Sequence, residues 1–205
     1  MKKNSADSNE NYKQSIAGII LAAGLSSRMK DFKPLLKYNG KSFLQNIITK
    51  LSNVCDKVVV VTGHNASMIE KEISLINSTI DIITVFNENY KEGMFASLQT
   101  GLKSLNNYEW ALYHFVDQPT IQQNVYNEIV LKLHRQYHWI QPTNSNRKGH
   151  PILLGTTAIK LILSADPKSN LKHISQSDSI RKKYIDVEDN SIFFVFVTQK
   201  DFVIL

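Results

Sequence analysis

Short, continuous apolar runs alternate along the first half of the chain with segments whose apolar residues recur every three or four positions. The runs are strand-sized and rich in β-branched residues, as expected of strands buried on both faces of a sheet. They lie at residues 19–22, 58–61, 82–86 and 111–116. The helical segments between them lie around residues 43–51, 68–73 and 98–105. Strands that alternate with helices imply right-handed crossovers, so the pattern predicts a largely parallel, three-layer α/β sheet.

The second half of the chain follows a less regular pattern. It predicts helices at 125–136 and 156–163 and strands at 139–141, 152–154, 184–187 and 193–197. The start of the chain is polar and contains no apolar stretch of the kind found in a signal peptide. We therefore expect residues 1–15 to be a disordered leader and residues 16–205 to form a single domain. The apolar runs are too short to cross a membrane as helices, and we expect no membrane partner.

The net charge of +6 and the sequence pI of about 9.3 raise the question of nucleic-acid binding. The 24 basic residues are scattered and form no stripe interleaved with aromatic side chains, so we expect no nucleic-acid partner. A small anionic substrate accounts for the charge equally well. Cys55 is the single cysteine, which excludes an internal disulfide and fits a reducing cytoplasm.

The loop after the first strand combines small residues with basic ones. Ligands of parallel α/β sheets bind at the carboxyl ends of strands, and this loop leaves such an end. Small residues such as Gly24 let backbone N–H groups approach an anion closely, while Arg28 and Lys33 supply positive charge. The loop matches neither of the common glycine-rich phosphate motifs. An ordinary strand-to-helix connection with solvated basic residues is the alternative.

Polar residues also follow other predicted strands. Asp117 comes directly after the strand that ends at 116, where a carboxylate is well placed to bind Mg²⁺ or simply to cap a turn. Asn87 follows another strand end, and Gly93 precedes a helix that carries Ser97. Either the amino end of that helix is open to a ligand, or Gly93 is an ordinary turn and Ser97 a surface residue. His150 precedes a later strand, where it would orient a substrate or cap a turn.

Five segments of the chain resemble, in their order and spacing, the molybdopterin-type nucleotidyltransferases, and among these most closely the molybdenum-cofactor cytidylyltransferases. The segments span residues 18–155 and read LAAGLSSRMKDFKPLL, VVVTGHN, NENYKEGMFASLQTGL, VDQP and GHPILLG. The resemblance implies a three-layer, Rossmann-like nucleotidyltransferase fold with a mostly parallel central sheet. It also implies transfer of a nucleoside monophosphate from a nucleoside triphosphate to a phosphorylated acceptor, with release of pyrophosphate.

The resemblance also implies roles for individual residues, carried over by position. Arg28 would hold the phosphates, Lys33 would neutralise the α-phosphate under attack, and Asp117 would bind Mg²⁺. His150, next to Gly149, would face the acceptor. The residues that would surround the nucleotide are Leu21, Ala22, Ala23, Gly24, Gly63, Asn87 and Ser97.

The first loop and the family together indicate the substrates. Ala-Ala-Gly at this position resembles the cytidylyl enzymes, whereas the guanylyl enzymes carry Ala-Gly-Gly. The extra methyl group of Ala23 would narrow the base pocket against a purine, so CTP is the expected nucleotide. The expected acceptor is molybdopterin, and a molybdoenzyme or its chaperone would be the partner that receives the product.

The end of the chain departs from the family pattern. The family has an aspartate-rich segment resembling D-I-D-T-P-E-D, whose carboxylate completes the metal site, whereas this chain has V-F-V-T-Q-K-D from Val195 to Asp201. Three interpretations stay open. In the first, catalysis persists because Asp117 and the triphosphate hold the metal, either alone or with help from Asp166 or Asp201. In the second, the acceptor is another molecule such as a sugar or alcohol phosphate. In the third, the protein binds nucleotide without catalysis.

Overall fold

The structure is a computed structural model that describes residues 15–25, 31–197 and 201. Residues 1–14 of the expected leader and Arg28 lie outside the described residues, whereas the Ser15 carbonyl accepts from the Trp110 N–H at 3.3 Å. The strands are β1 (Ile16–Leu21), β2 (Lys37–Tyr38), β3 (Lys41–Ser42), β4 (Lys57–Thr62), β5 (Asp81–Phe86), β6 (Trp110–Phe115), β7 (Trp139–Asn144), β8 (Arg147–Lys148), β9 (Ile152–Gly155) and β10 (Lys182–Asp186). The helices are α1 (Phe43–Leu51), α2 (Ala66–Ser74), α3 (Met94–Lys103), α4 (Gln123–Leu131), α5 (Thr156–Ser164) and α6 (Leu171–Ser175). Short 3-10 turns occupy Lys33–Leu35, Tyr90–Glu92 and Asn190–Phe193.

Most of the strands form one mostly parallel sheet, as the alternation of strands and helices predicts. Its order is β10-β7-β9-β6-β1-β4-β5, with β8 paired to β7, while β2 and β3 form a separate hairpin. Strands β6, β1, β4 and β5 are parallel to one another, and β10 is parallel to β7. Strand β9 runs antiparallel to β6 and β7. Only residues 145–151 separate β7 from its neighbour β9, too few for the crossover that a parallel neighbour needs.

The helices cover both faces of the sheet and enclose one apolar cluster on each face. Alternation along β1 sends Ile20 to one cluster and Ile19 to the other. The first cluster includes apolar residues of α1, α2 and α4, and the second includes those of α3, α5 and α6. The three-layer architecture expected from the sequence is confirmed.

Helix α1 begins at a capping box. The Gln45 backbone N–H donates to Ser42 Oγ at 3.0 Å, and the Ser42 backbone N–H donates to the Gln45 side chain at 3.2 Å. These bonds satisfy two of the amide groups that a helix start leaves without partners. The sequence pattern predicts this cap, and it holds α1 beside the 3-10 turn that carries Lys33.

Two predicted elements differ in the structure. The strand expected at 193–197 is wrong, because the chain forms a 3-10 turn up to Phe193 and then an irregular segment. Its aromatic residues pack against side chains instead of pairing with a strand: the Phe196 ring lies 4.7 Å from the Phe43 ring, centroid to centroid. The helix expected at 125–136 ends at Leu131, since the chain closes with two i−3 hydrogen bonds and turns back toward β7.

No helix within the described part of the chain is both long and apolar enough to span a membrane.

Candidate active site

The loop after β1 is held by the neighbouring strand β4. The Ala22 N–H donates to the Val61 carbonyl at 2.9 Å, and the Ala23 carbonyl accepts from the His64 N–H at 3.3 Å. The side chains of Ala22 and Ala23 are buried, whereas Gly24 is exposed. The backbone of this loop therefore forms a fixed edge at the carboxyl end of the sheet, where a parallel α/β protein binds its ligands.

Gly63 packs closely against the loop after β1. A Cβ atom at Gly63 would lie 2.6 Å from Tyr90 Cβ and 2.9 Å from the Ala23 carbonyl oxygen, so only glycine lets these three segments come together. The family resemblance implies that Gly63 borders the nucleotide. In the structure Gly63 is buried and packs behind Tyr90, which itself lines the cavity described below.

An ion pair joins the two best candidates for chemistry. Lys33 Nζ lies 3.1 Å from Asp117 Oδ2, with side-chain exposures of 16% and 23%. Lys33 is placed by the 3-10 turn that begins at it, whose Pro34 is buried, and Asp117 by the end of β6. The Asp117 carbonyl also accepts a hydrogen bond from the Phe196 N–H at 3.0 Å. This bond brings the irregular C-terminal segment next to Asp117.

Asn87 and Ser97 fix the start of α3. Asn87 Nδ2 donates to Ser97 Oγ at 3.0 Å, and Ser97 Oγ donates to the Gly93 carbonyl at 3.2 Å. The Asn87 N–H donates to the Thr62 carbonyl at 2.9 Å, which ties the loop after β5 to β4. Gly93 has a φ of 119°, a conformation that favours glycine. Asn87 is therefore buried and connects the loop after β5 to α3, while Ser97 lines the cavity described below.

The candidate residues surround a cavity of about 210 Å³. It lies at the carboxyl ends of β1 and β6, where the order of strands and helices predicts a ligand. Its lining residues are Leu21, Ala22, Ala23, Gly24, Lys33, Pro34, Tyr90, Gly93, Met94, Ser97, Phe115, Val116 and Asp117. We call it the nucleotide cavity below. The predicted residues Leu21 to Gly24, Lys33, Ser97 and Asp117 meet here, and Arg28 falls outside the described residues.

His150 lines a second, adjoining cavity of about 420 Å³. Its ring lies 4.5 Å from the Phe115 ring and 5.6 Å from the Tyr113 ring, centroid to centroid. Burial lowers the pKa of His150 to about 4, so its imidazole is neutral at pH 7. Its Nδ1 is buried without a hydrogen-bond partner among the described residues. We call this cavity the His150 cavity.

The two cavities share a wall formed by Gly93, Met94 and Phe115. Phe115 and Met94 are residues that sequence reasoning did not select. The signal for Phe115 is its position two residues before Asp117, since alternate residues of a strand point to the same face. Met94 carries no such signal beyond its place directly after Gly93.

A buried hydrogen-bond network lies on the opposite face of β6. His114 is fully buried, and its Nδ1 lies 2.6 Å from the Phe115 carbonyl, which can only accept, so Nδ1 carries the proton. The other ring nitrogen, Nε2, accepts from the Tyr126 hydroxyl at 2.6 Å. Burial lowers the pKa of His114 to about 3. This network fixes the end of β6 immediately before Asp117.

Comparison with known proteins identifies the family of the chain. The sequence pattern of the MobA-like NTP transferase domain matches residues 18–182. The chain belongs to the MobA-like NTP transferase family. It is a nucleotidyltransferase of that family by sequence, and the nucleotide cavity lies inside the matched region.

Individual relatives cover most of the chain. It is 25% identical over 186 residues to the molybdenum cofactor cytidylyltransferase of Escherichia coli, an alignment that covers 90% of this chain and 92% of that protein. It is 29% identical over 140 residues to a protein of Bacillus cytotoxicus named "Probable molybdenum cofactor guanylyltransferase", covering 68% and 67% of the two chains. The crystal structure of Rv0371c from Mycobacterium tuberculosis shares the fold, with a TM-score of 0.76, 19% identity and coverage of 93% and 97%.

Proposed function

We propose that this protein transfers a nucleoside monophosphate, CMP from CTP, to the phosphate of an acceptor, molybdopterin, and releases pyrophosphate. The observation that carries the proposal is the Lys33–Asp117 pair, 3.1 Å apart, on a cavity lined by Leu21 to Gly24. Backbone amides, one ammonium and one carboxylate at the end of a parallel sheet suit a triphosphate with its metal ion. A molybdoenzyme or its chaperone, in the cytoplasm, is the recipient we propose for the product.

The chain's own residues account for the transfer without a protein nucleophile. An oxygen of the acceptor phosphate forms the new bond to the α-phosphorus, and the bond from that phosphorus to the pyrophosphate oxygen breaks. Lys33 stabilises the charge that develops on the α-phosphate, while the loop after β1 holds the triphosphate in line. Catalysis of this kind depends on positioning and charge stabilisation.

Asp117 is the residue that would hold Mg²⁺. Magnesium is commonly bound by one or two carboxylates together with waters and substrate phosphates, and Asp117 supplies one carboxylate at the nucleotide cavity. Within the described residues, no group of three or more His, Cys, Asp or Glu side chains is placed to hold a metal. With the single carboxylate of Asp117, the cavity suits a metal that the protein and the triphosphate would hold jointly. Bound there, the ion would neutralise phosphate charge.

The preference for CTP rests on Ala23. Its side chain is buried, and its carbonyl is held by the His64 N–H, so the loop has little freedom to move away from a larger base. The E. coli relative named as a cytidylyltransferase supports the same nucleotide, while the Bacillus relative named as a guanylyltransferase makes GTP the competing substrate to test.

A second candidate function is nucleotide binding without turnover. The Phe196 N–H bond to the Asp117 carbonyl brings the segment that holds Val195 and Val197, where the family pattern has aspartates, next to the Asp117 backbone. Neither valine can bind a metal ion. A metal site with one protein carboxylate is weaker than one with two, and this weakness is what favours the second candidate.

A pyrophosphate-release assay separates the two candidates. We expect release with CTP and Mg²⁺ when molybdopterin is present, and less with GTP, ATP or UTP. Replacing molybdopterin by a sugar phosphate or an alcohol phosphate tests the alternative acceptors. Tight CTP binding with no release in the presence of any of these acceptors would favour the binding function.

Substitution of Lys33 tests the mechanism. Lys33→Ala should lower kcat by about 10²- to 10³-fold, as removal of a group that stabilises transition-state charge does, and raise the Kd for CTP much less. Lys37→Ala is the matched control, because Lys37 is exposed on β2 and does not line the nucleotide cavity. Equal losses in kcat and CTP affinity would refute a role in the transition state.

A further inference from the structure

The Lys33–Asp117 ion pair joins two separate elements that both line the nucleotide cavity. Lys33 belongs to the 3-10 turn Lys33–Leu35, whereas Asp117 follows β6, 84 positions later in the sequence. Lys33 Nζ donates to Asp117 Oδ2 at 3.1 Å, a charge-assisted hydrogen bond. The pair therefore engages with each other the two groups to which the proposed function assigns a phosphate and a metal ion.

The backbones of both partners are held in place. The Asp117 carbonyl accepts from the Phe196 N–H at 3.0 Å, and the Lys33 carbonyl accepts from the Leu36 N–H at 3.1 Å, with Pro34 buried between them. The lysine ammonium stands on a flexible four-carbon stem, whereas the aspartate side chain is short. When the pair separates, we therefore expect the Lys33 side chain to move and the Asp117 carboxylate to stay.

The exposure of the pair allows such an exchange of partners. The side chains of Lys33 and Asp117 are 16% and 23% exposed, so the pair is neither fully solvated nor sealed in the core. A fully exposed pair would contribute little, and separating a fully buried one would be strongly unfavourable. A triphosphate carries several negative charges and is a stronger partner for an ammonium group than one carboxylate is.

The size of the nucleotide cavity fits the same picture. Its volume is about 210 Å³, below the 300–1,000 Å³ that is usual for small-molecule sites. The ion pair ties the turn at Lys33 to the end of β6, and both belong to the wall of the cavity. Separation of the pair would thus release one part of the wall from the other.

We propose that Lys33 covers the Asp117 carboxylate until a nucleoside triphosphate draws Lys33 away, so that nucleotide binding makes the metal site available. This inference rests on the proposed function, in which Lys33 contacts the α-phosphate and Asp117 holds Mg²⁺, and it adds the order in which these groups become available. A carboxylate whose charge is balanced by an ammonium group attracts a cation less. Nucleotide and metal affinities are then linked, and each ligand raises the affinity for the other.

The affinity of the nucleotide-free, full-length protein for Mn²⁺ provides the first test, with the free ion measured by electron paramagnetic resonance. Mn²⁺ is the probe because it prefers carboxylate oxygens, as Mg²⁺ does. Lys33→Met removes the charge and keeps an unbranched side chain. It should raise the Mn²⁺ affinity on the order of tenfold, the effect of removing one positive charge about 4 Å from a divalent ion in well-solvated surroundings.

Two further variants locate this gain. Lys37→Met is the matched control, because Lys37 is exposed on β2 and does not line the nucleotide cavity, and its Mn²⁺ affinity should equal that of the unsubstituted protein. Adding Asp117→Asn to Lys33→Met should abolish the gain, since the carboxylate that Lys33 covers is then absent. A gain that persists in this double variant would contradict the assignment to Asp117.

CTP binding with and without metal provides the second test. In EDTA, Asp117→Asn should lower the Kd for CTP about fivefold to tenfold, because Lys33 is released and one negative charge near the phosphates is removed. With Mg²⁺ present, the same variant should bind CTP more weakly than the unsubstituted protein. A pair with a purely structural role would instead lower the melting temperature of both single variants and raise neither affinity.

These binding measurements can fail independently of the proposed function. Lys33→Met with unchanged Mn²⁺ affinity, or with no Mn²⁺ binding at all, would overturn the inference, while transfer of CMP by the unsubstituted protein would leave the proposed function standing. The expected gain in Mn²⁺ affinity and the reversal of the Asp117→Asn effect by Mg²⁺ would support the inference. If pyrophosphate were then released with none of the acceptors, only the proposed transfer would be contradicted.

Discussion

The substitution Gly24→Ala tests whether the loop after β1 binds phosphate. It should weaken CTP binding without lowering the stability of the protein. A Cβ atom at Gly24 would have no heavy atom of the described protein within 4 Å. The substitution therefore costs nothing in packing, and alanine restricts the unfolded chain more than glycine does. We expect the free energy of unfolding to rise by about 0.4–1 kcal/mol or to stay unchanged.

The affinity for CTP should fall in the same variant. Backbone N–H groups that hold a phosphate bring their nitrogen atoms to about 2.9 Å from its oxygens. An added methyl group at Gly24, which is exposed, must then share the space of the triphosphate. Overpacking of this kind costs about 1–3 kcal/mol, which corresponds to a rise of about five- to 150-fold in the Kd for CTP.

Isothermal titration with CTP and Mg²⁺, together with urea unfolding, measures both quantities. Gly63→Ala is the matched control, because its Cβ would lie 2.6 Å from Tyr90 Cβ and should destabilise the protein by about 1–3 kcal/mol. A Gly24→Ala protein that binds CTP as tightly as the unsubstituted protein would refute the idea that this backbone touches the triphosphate.

Three further predictions concern the interior. Burial lowers the pKa of His114 from 6.5 to about 3, so the unfolded chain binds an extra proton between these pH values. Stability should fall by about 2 kcal/mol from pH 7 to pH 5 through this residue, a loss that urea unfolding of His114→Gln should lack. Gly101→Ala would bring a Cβ to 2.8 Å from Val61 Cγ2, and urea unfolding should show a loss of about 1–3 kcal/mol. Burial raises the pKa of the Cys55 thiol, so DTNB should react with it only after unfolding, and rapid reaction of folded protein would contradict the buried position.

Features that depend on neighbouring residues were predictable from the sequence. The capping box of Ser42 and Gln45 is a local pattern, and so is the β-branched run from Val58 to Val61 that forms β4. The order of elements predicts a ligand site at the carboxyl ends of the strands, and the structure has a cavity there. The helix start after Gly93 follows from the same kind of local signal.

Features that depend on distant residues were harder to predict. Lys33 and Asp117 are 84 positions apart, and their ion pair depends on how β6 and the turn at Lys33 sit in the folded sheet. The apolar run that ends at Val197 has the composition of a strand, yet its aromatic side chains pack on α1. The composition of a segment indicates that it is buried, whereas its pairing as a strand requires a nearby strand whose edge is still unpaired. The His150 cavity likewise depends on residues from four separate segments of the chain.

The wall that the two cavities share has a consequence for the end of the reaction. A product made from both substrates would extend from one cavity into the other, across Met94 and Phe115. Each half of the product would then bind in its own cavity. Because the halves are linked, binding of one half raises the local concentration of the other half at the second cavity. Such a product binds more tightly than either substrate and leaves slowly unless something takes it. Under the proposed function, the compact arrangement that brings the reactants together would thus make release of the product the slow step.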